Sequence, residues 1–431
     1  MKSLITIIAA IFINITAIAQ TINTATSFDV GGIKVIFKPS QKKVINVGIY
    51  FRGGVTNFSK EKAGIEQFAL RGAVECGTQN YTANALRDTS DKYDIYFSGA
   101  SSFDYGFIQL NCISKYFDKG WDMFADIVMN PTFQAGEVQL LRNKIISDNK
   151  LMGSRPIVDV SKILLLNAYK GTSYGIDPYG TDATLNNITA ADIKDYYNNV
   201  LLSKEKLFIV VVGNITKDEL KEKILLSFGN IRSKQYDQPF YEAPVLSGNK
   251  IITQQKNIPS NYVSAMSNAP IVKSPDFIPF KLGVAALSAT LYYNLTKAQL
   301  VNTINADCST MQMPHMVISL VTNTPQQAID EIVKTIKNLQ RTGVNEEWLA
   351  RLKNAFIITS FINQQSNLAV TENLALSEID SNWQYADDFP QLVYMASVEQ
   401  VNNALNTYIT GLTWSFLGDT NSIKNYTIPL F

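Results

Sequence analysis

His315 is the only histidine among 431 residues, and Cys76, Cys112 and Cys308 are the only cysteines. Catalytic zinc sites are usually assembled from His, Cys and carboxylate side chains, and one imidazole cannot supply a histidine pair. His315 follows Met311-Gln312-Met313-Pro314. That neighbourhood would suit a soft metal, but a polar residue near the start of a strand is the simpler expectation. Ser-His-Asp catalysis is not expected, because nothing in the sequence sets an acid and a nucleophile beside the one histidine. Gly171-Thr172-Ser173-Tyr174-Gly175 and Gly53-Gly54 are not phosphate loops, since neither has the P-loop lysine at the required place. The odd cysteine count excludes a complete disulfide framework, and core thiols are expected.

The elements that would carry any such chemistry follow from periodicity. Alternation predicts strands at 34–37, 44–51 and 107–112. Apolar residues at helical spacing predict helices near 65–76, 84–92, 121–130 and 138–151. A helix near 190–199 then precedes the apolar run Leu207-Phe208-Ile209-Val210-Val211-Val212, which leads into Gly213-Asn214. The second part of the chain closes in the same order, with a helix over 397–409 and a strand Trp414-Ser415-Phe416-Leu417 leading into Gly418-Asp419. Leu141-Arg142-Asn143 and Leu352-Lys353-Asn354 occupy corresponding amphipathic segments. Shared order at two places predicts an internal repeat. The polar, Pro-containing stretch 232–250 reads as a linker between the copies. The resulting expectation is an α+β fold of two similar halves, each an antiparallel-rich sheet with helices packed on one face. Residues 20–231 would form one half and 251–431 the other.

Composition narrows the partners. A net charge of +1 from 38 basic and 37 acidic residues argues against nucleic acid or an anionic membrane as the main partner. Residues 1–19 have a positive start, an apolar stretch and the small-x-small end Ala17-Ile18-Ala19, which predicts a cleaved export signal. No later stretch is long and apolar enough to span a bilayer. The expected location is periplasmic or extracellular.

The helical stretch Ala63-Gly64-Ile65-Glu66-Gln67-Phe68-Ala69-Leu70-Arg71-Gly72, framed by Gly53-Gly54 and Gly77-Thr78, resembles the zinc-binding helix of the pitrilysin/insulinase/mitochondrial-processing-peptidase family (M16 type), with its inverted H-x-x-E-H motif. The resemblance continues through Asn130-Pro131-Thr132-Phe133, Pro178-Tyr179-Gly180, Asn187-Ile188-Thr189 and Val211-Val212-Gly213-Asn214, and covers nearly all of the chain beyond the signal. It implies that Gln67 stands at the first histidine, Leu70 at the glutamate and Arg71 at the second histidine, with Asp148 at the third ligand. It also implies that Thr296 and Thr303 replace an arginine and a tyrosine that hold substrate near the scissile bond. The segment Ser98, Gly99, Ala100 and Ser101 matches the family's peptide-pairing edge strand, with Ser98 in place of an asparagine.

These substitutions remove the chemistry. A glutamine amide is a neutral, weak ligand, and an arginine guanidinium stays cationic and repels a metal ion. Leucine cannot take a proton from a zinc-bound water. Arg71 is expected to be neutralised by a nearby acid such as Asp148. No catalytic residue, metal or cofactor is therefore expected in this chain, and zinc only in a partner. The resemblance implies a non-catalytic subunit that completes a peptide-binding chamber with an active, metal-bearing chain of similar length. Two alternatives stay open: a homodimeric clamshell that binds peptides or proteins without an enzyme partner, and a working peptidase with an unrecognised site.

Overall fold

A computed structural model describes residues 24–239, 241–246 and 250–429; the export signal expected at 1–19 lies outside them. The chain builds two sheets. The first has β1 (Thr26–Val30), β2 (Ile33–Pro39), β3 (Val44–Arg52), β4 (Tyr96–Ser101), β5 (Tyr105–Ile113) and β6 (Leu207–Gly213), in the order β1-β2-β6-β3-β5-β4. The second has β7 (Ile251–Gln255), β8 (Asn261–Asn268), β9 (Thr303–Cys308), β10 (His315–Thr322) and β11 (Thr413–Gly418), in the order β7-β11-β8-β10-β9. Each sheet contains one parallel pair, β2 with β6 and β7 with β11, and its other pairings are antiparallel. Without β1, the two strand orders are the same. The helices carrying Leu141 and Leu352, Ala135–Gly153 and Glu346–Asn363, occupy corresponding places in the two copies.

The apolar run of β6 fits a strand buried on both sides. Leu207, Ile209 and Val211 face the core shared with the helices Ile65–Glu75 and Phe117–Met129. Phe208, Val210 and Val212 face the other way, onto Val370, Leu374 and Ala375 of the helix Asn367–Asp380. That helix comes from the second copy. The reverse also holds: the helix Pro156–Ala168, from the first copy, lies on β8 and β11 of the second sheet. The hydroxyl of Ser415 donates to the carbonyl of Val160 across that contact at 2.8 Å. So one face of each sheet carries its own helices, and the opposite face is closed by a helix exchanged from the other copy.

Charges reinforce the exchange. Glu378, on the helix Asn367–Asp380, is buried and accepts from Lys34 of β2 at 2.7 Å and Arg52 of β3 at 2.5 Å. The stretch between the copies has neither helix nor strand among its described residues. It lies along the seam with Leu246 buried, and the Leu246 N–H donates to the Asn268 side chain at 2.8 Å. Cys76, Cys112 and Cys308 are unpaired and buried, and burial pushes each thiol up to about 12.

Candidate functional site

The helix Ile65–Glu75 is buried almost all round, the pattern of a helix inside a core rather than on a surface. It starts at Gly64, whose φ of 91° is left-handed and would strain any other residue. Beyond its end, Thr78 makes a bridge to Pro131. The bridge swings the chain into the helix Ala135–Gly153 beside it. On that helix Val138, Leu141 and Ile145 form the buried stripe, and Asp148 lies one turn further on, where the stripe gives way to an exposed side chain.

This arrangement brings the family's motif positions together. Arg71 donates to Asp148 at 2.8 Å and to Glu75 at 2.9 Å, and Lys144 donates to the second oxygen of Glu75 at 2.7 Å. Burial opposes the Arg71 charge, but the Asp148 and Glu75 carboxylates outweigh it and the pKa is raised. Leu70 is fully buried. The Gln67 side-chain oxygen accepts from the Ser101 N–H at 2.7 Å. A zinc ion does not fit these residues. One candidate ligand is a neutral amide already in use, one is a permanent cation, and the Asp148 carboxylate is taken up by that cation. Thr296 and Thr303 are not brought to this place: Thr296 lies near the end of the helix Phe277–Lys297, and Thr303 begins β9 in the second sheet.

β4 is the outer strand of the first sheet, as the segment 98–101 was expected to be. Its hydrogen bonding divides those residues. The Ser102 N–H donates inward to Tyr105 at 2.7 Å, whereas the Ser101 N–H points outward to Gln67. Alternation along an antiparallel strand then turns the backbone groups of Ala100 and Ser98 inward to β5, and those of Gly99 and Phe97 outward. The open backbone groups are therefore fewer than the segment's length. Gly99 remains available, Phe97 joins it, Ser98 and Ala100 are spent on β5, and the Ser101 N–H is occupied. Gly99 is required by packing, since a Cβ there would lie 2.4 Å from the Leu70 carbonyl oxygen. Beyond this edge lies a groove of about 560 Å³ between the helices Ala83–Tyr93 and Ala135–Gly153, with Leu86, Ile95, Phe97, Leu140 and Leu141 in its lining.

A buried polar cluster behind the edge had no signal in the sequence. Glu66, fully buried, accepts from Tyr196 at 2.6 Å, Asn57 at 2.9 Å and the Ser101 hydroxyl at 3.2 Å. Burial pushes its carboxyl up to about 7. Lys206 donates to the Asn57 side-chain oxygen at 2.6 Å, and burial brings it down to about 8. A second cluster lies at the seam. Asp104 accepts from the Tyr174 hydroxyl and from the Gln312 N–H at 3.1 Å, and burial raises it to about 6. His315 opens β10, as a polar residue at a strand start should, and burial lowers it to about 4, so it is neutral at pH 7. Gly171–Gly175 also has the Gly-x-Ser-x-Gly spacing of a nucleophile elbow. That device needs a strand-to-helix turn, whereas Ser173 begins a 3-10 turn behind the helix Pro156–Ala168.

Two sheets of matching topology, with a buried helix that carries no metal-ligand pair where the resemblance would place one, point to a peptidase scaffold without its metal chemistry. The family description "Insulinase (Peptidase family M16)" matches residues 34–182, and "Peptidase M16 inactive domain" matches residues 187–356. The chain belongs to the peptidase M16 family, as a non-catalytic member. Among curated proteins it is similar to the mitochondrial-processing peptidase subunit beta of Dictyostelium discoideum, with 18% identity over 80% of this chain and 77% of that one. It is also similar to subunit 1 of the mitochondrial cytochrome b-c1 complex of Bos taurus, with 20% identity over 59% of this chain and 53% of that one. Among solved structures, a peptidase M16 inactive domain from Pseudomonas fluorescens superposes with a TM-score of 0.81 at 16% identity, covering 92% of this chain and 98% of that one.

Proposed function

We propose that this chain is the non-catalytic subunit of an exported peptidase-like assembly, and that with a metal-bearing chain of the same fold it completes a chamber for extended peptides. The reading rests above all on the Arg71–Asp148 ion pair, which joins two positions where the resemblance puts metal ligands. Zinc belongs to the partner. The two curated relatives are by name subunits of larger complexes, which supports a role by association. With Thr296 and Thr303 where the resemblance puts an arginine–tyrosine pair, the active partner supplies its own substrate clamp or this subunit is purely structural. Export rests on residues 1–19; no described helix is long and apolar enough to cross a membrane.

Affinity purification of the tagged, full-length chain from the envelope fraction of its source tests the pairing. The expected co-purifying protein is a chain of similar length that contains an intact H-x-x-E-H motif and zinc. Recovery of this chain alone, as monomer or homodimer under mild salt, overturns the heteromeric role. The open backbone at Phe97 and Gly99 favours a second reading, a homodimer that binds peptides by itself. Titration of the isolated chain with unstructured peptides separates the two, because only the second requires binding without a partner.

A further inference from the structure

We propose that Gln67 is a register stop: its side chain closes the Ser101 end of the β4 edge, so that an extended peptide can pair only with the backbone of Phe97 and Gly99. The inference rests on the reading of β4 as a peptide-pairing edge and deepens it.

An open strand edge binds a peptide through alternate outward N–H and C=O groups. The outward residues here are Phe97, Gly99 and Ser101. The first two face the groove. Ser101 is 3% exposed and held by two consecutive helix residues, its N–H by Gln67 and its hydroxyl by Glu66. The Gln67 amide oxygen thus stands where a peptide carbonyl would accept, at an ordinary hydrogen-bond distance of 2.7 Å. Gln67 is itself 8% exposed and packed into a helix that is buried on nearly every side, so an incoming strand would have to expel a buried amide to gain this rung.

The edge is therefore short, and it stops at the motif helix. A ligand that suits it is an extended peptide with two outward backbone contacts and apolar side chains for the groove beside Leu86, Phe97 and Leu140. It must end or turn away at Ser101. Longer strands gain nothing from their extra length. Gln67, a weak replacement as a zinc ligand, acts here as a specificity-determining residue.

The test combines single-amide hydrogen exchange with fluorescence anisotropy, using a short and a long labelled peptide of alternating leucine and serine. In the wild-type chain the Ser101 amide should exchange slowly with or without peptide, and binding should slow only Phe97 and Gly99. The near-isosteric Gln67→Met removes the acceptor. Ser101 exchange should then rise about fivefold, the effect of one ordinary hydrogen bond, and the long peptide should bind about fivefold more tightly than to wild type. Gln67→Glu keeps an acceptor and should restore the wild-type pattern. Peptide protection at Phe97 and Gly99 with Gln67 displaced from Ser101 in the wild type, or a Gln67→Met variant identical to wild type, overturns the register stop and leaves the edge reading standing. Absence of protection at Phe97 and Gly99 in every variant overturns both.

Discussion

Replacing Glu66 by glutamine should make the protein more stable at pH 8 and remove part of its pH dependence. The carboxyl is fully buried, and burial raises its pKa from 4.5 to about 7 despite three donated hydrogen bonds. A raised carboxyl pKa means that the folded chain holds the proton more tightly than the unfolded one. The stability it contributes is complete below pH 4.5 and lost as the pH rises through about 7. At ~1.4 kcal/mol per pKa unit the shift corresponds to about 3 kcal/mol. Glutamine can still accept from Tyr196 and Asn57 through its oxygen while its amide group donates to the Ser101 hydroxyl. Glu66 is also the anion that opposes the buried Lys206 ammonium, and its loss returns part of the gain. The expected net effect is about 1–2 kcal/mol in favour of the variant at pH 8, shrinking to nothing or reversing near pH 5.

Urea unfolding of both proteins between pH 5 and pH 8, compared as a difference at each pH, is the assay. The difference is needed because other groups titrate in the same window. Asp104 and Asp380 are raised by burial to about 6 and about 8 and share the sign of Glu66. His315 is lowered to about 4 and has the opposite sign: its contribution is present above pH 6.5 and lost as the pH falls through about 4. Lys206, lowered to about 8, loses its contribution as the pH falls through about 8, at the upper edge of the window. A Glu66→Gln variant with the same slope as wild type, or one equally destabilised at every pH, would refute the assignment of a strained buried charge to this position.

Further substitutions probe the site and the seam. Gln67→His, Arg71→His and Asp148→Glu together place three zinc donors on the two helices that now hold the ion pair, and the triple variant should retain close to one zinc per chain by plasma mass spectrometry after dialysis; Gln67→His alone should retain none, and stoichiometric zinc in the wild type would show the donor argument to be wrong. Glu378→Ala leaves Lys34 and Arg52 without the buried carboxylate that ties the exchanged helix to the first sheet, and should cost about 2–3 kcal/mol in urea unfolding, discounted because Lys34 is 42% exposed, whereas Arg351→Ala, from an exposed pair, should cost under about 0.5 kcal/mol.

The elements most legible in the sequence were those whose pattern depends only on their own burial. The run 207–212 is apolar at every position because β6 is covered on both faces, and the stretch 65–76 is rich in apolar and small residues because its helix is enclosed. β4 was harder. Ser98-Gly99-Ala100-Ser101 has no β-branched or aromatic residue, so the strand exists through its pairing with β5 rather than through propensity. Which of its residues remain open depended on one hydrogen bond from a side chain on another element. The helix exchange was illegible for a related reason: an apolar stripe on Val370 and Leu374 shows that something is covered, but not which sheet. Glu66, Asn57, Tyr196 and Lys206 are scattered through the sequence as ordinary polar residues, and only tertiary packing makes them a cluster.

Loss of metal chemistry in this fold is compensated rather than merely tolerated. Arg71 has a side-chain exposure of 13%, and a guanidinium that deep costs stability unless carboxylates meet it. Asp148 and Glu75 do so, and Lys144 balances the charge that Glu75 adds. The ion pair links the helices Ile65–Glu75 and Ala135–Gly153. A single change to histidine at Arg71 would leave Asp148 without its cation, while Glu75 would keep Lys144. The exchanged helices act at a larger scale in the same sense. Because each sheet is covered on one face by a helix from the other copy, the two copies share buried apolar surface.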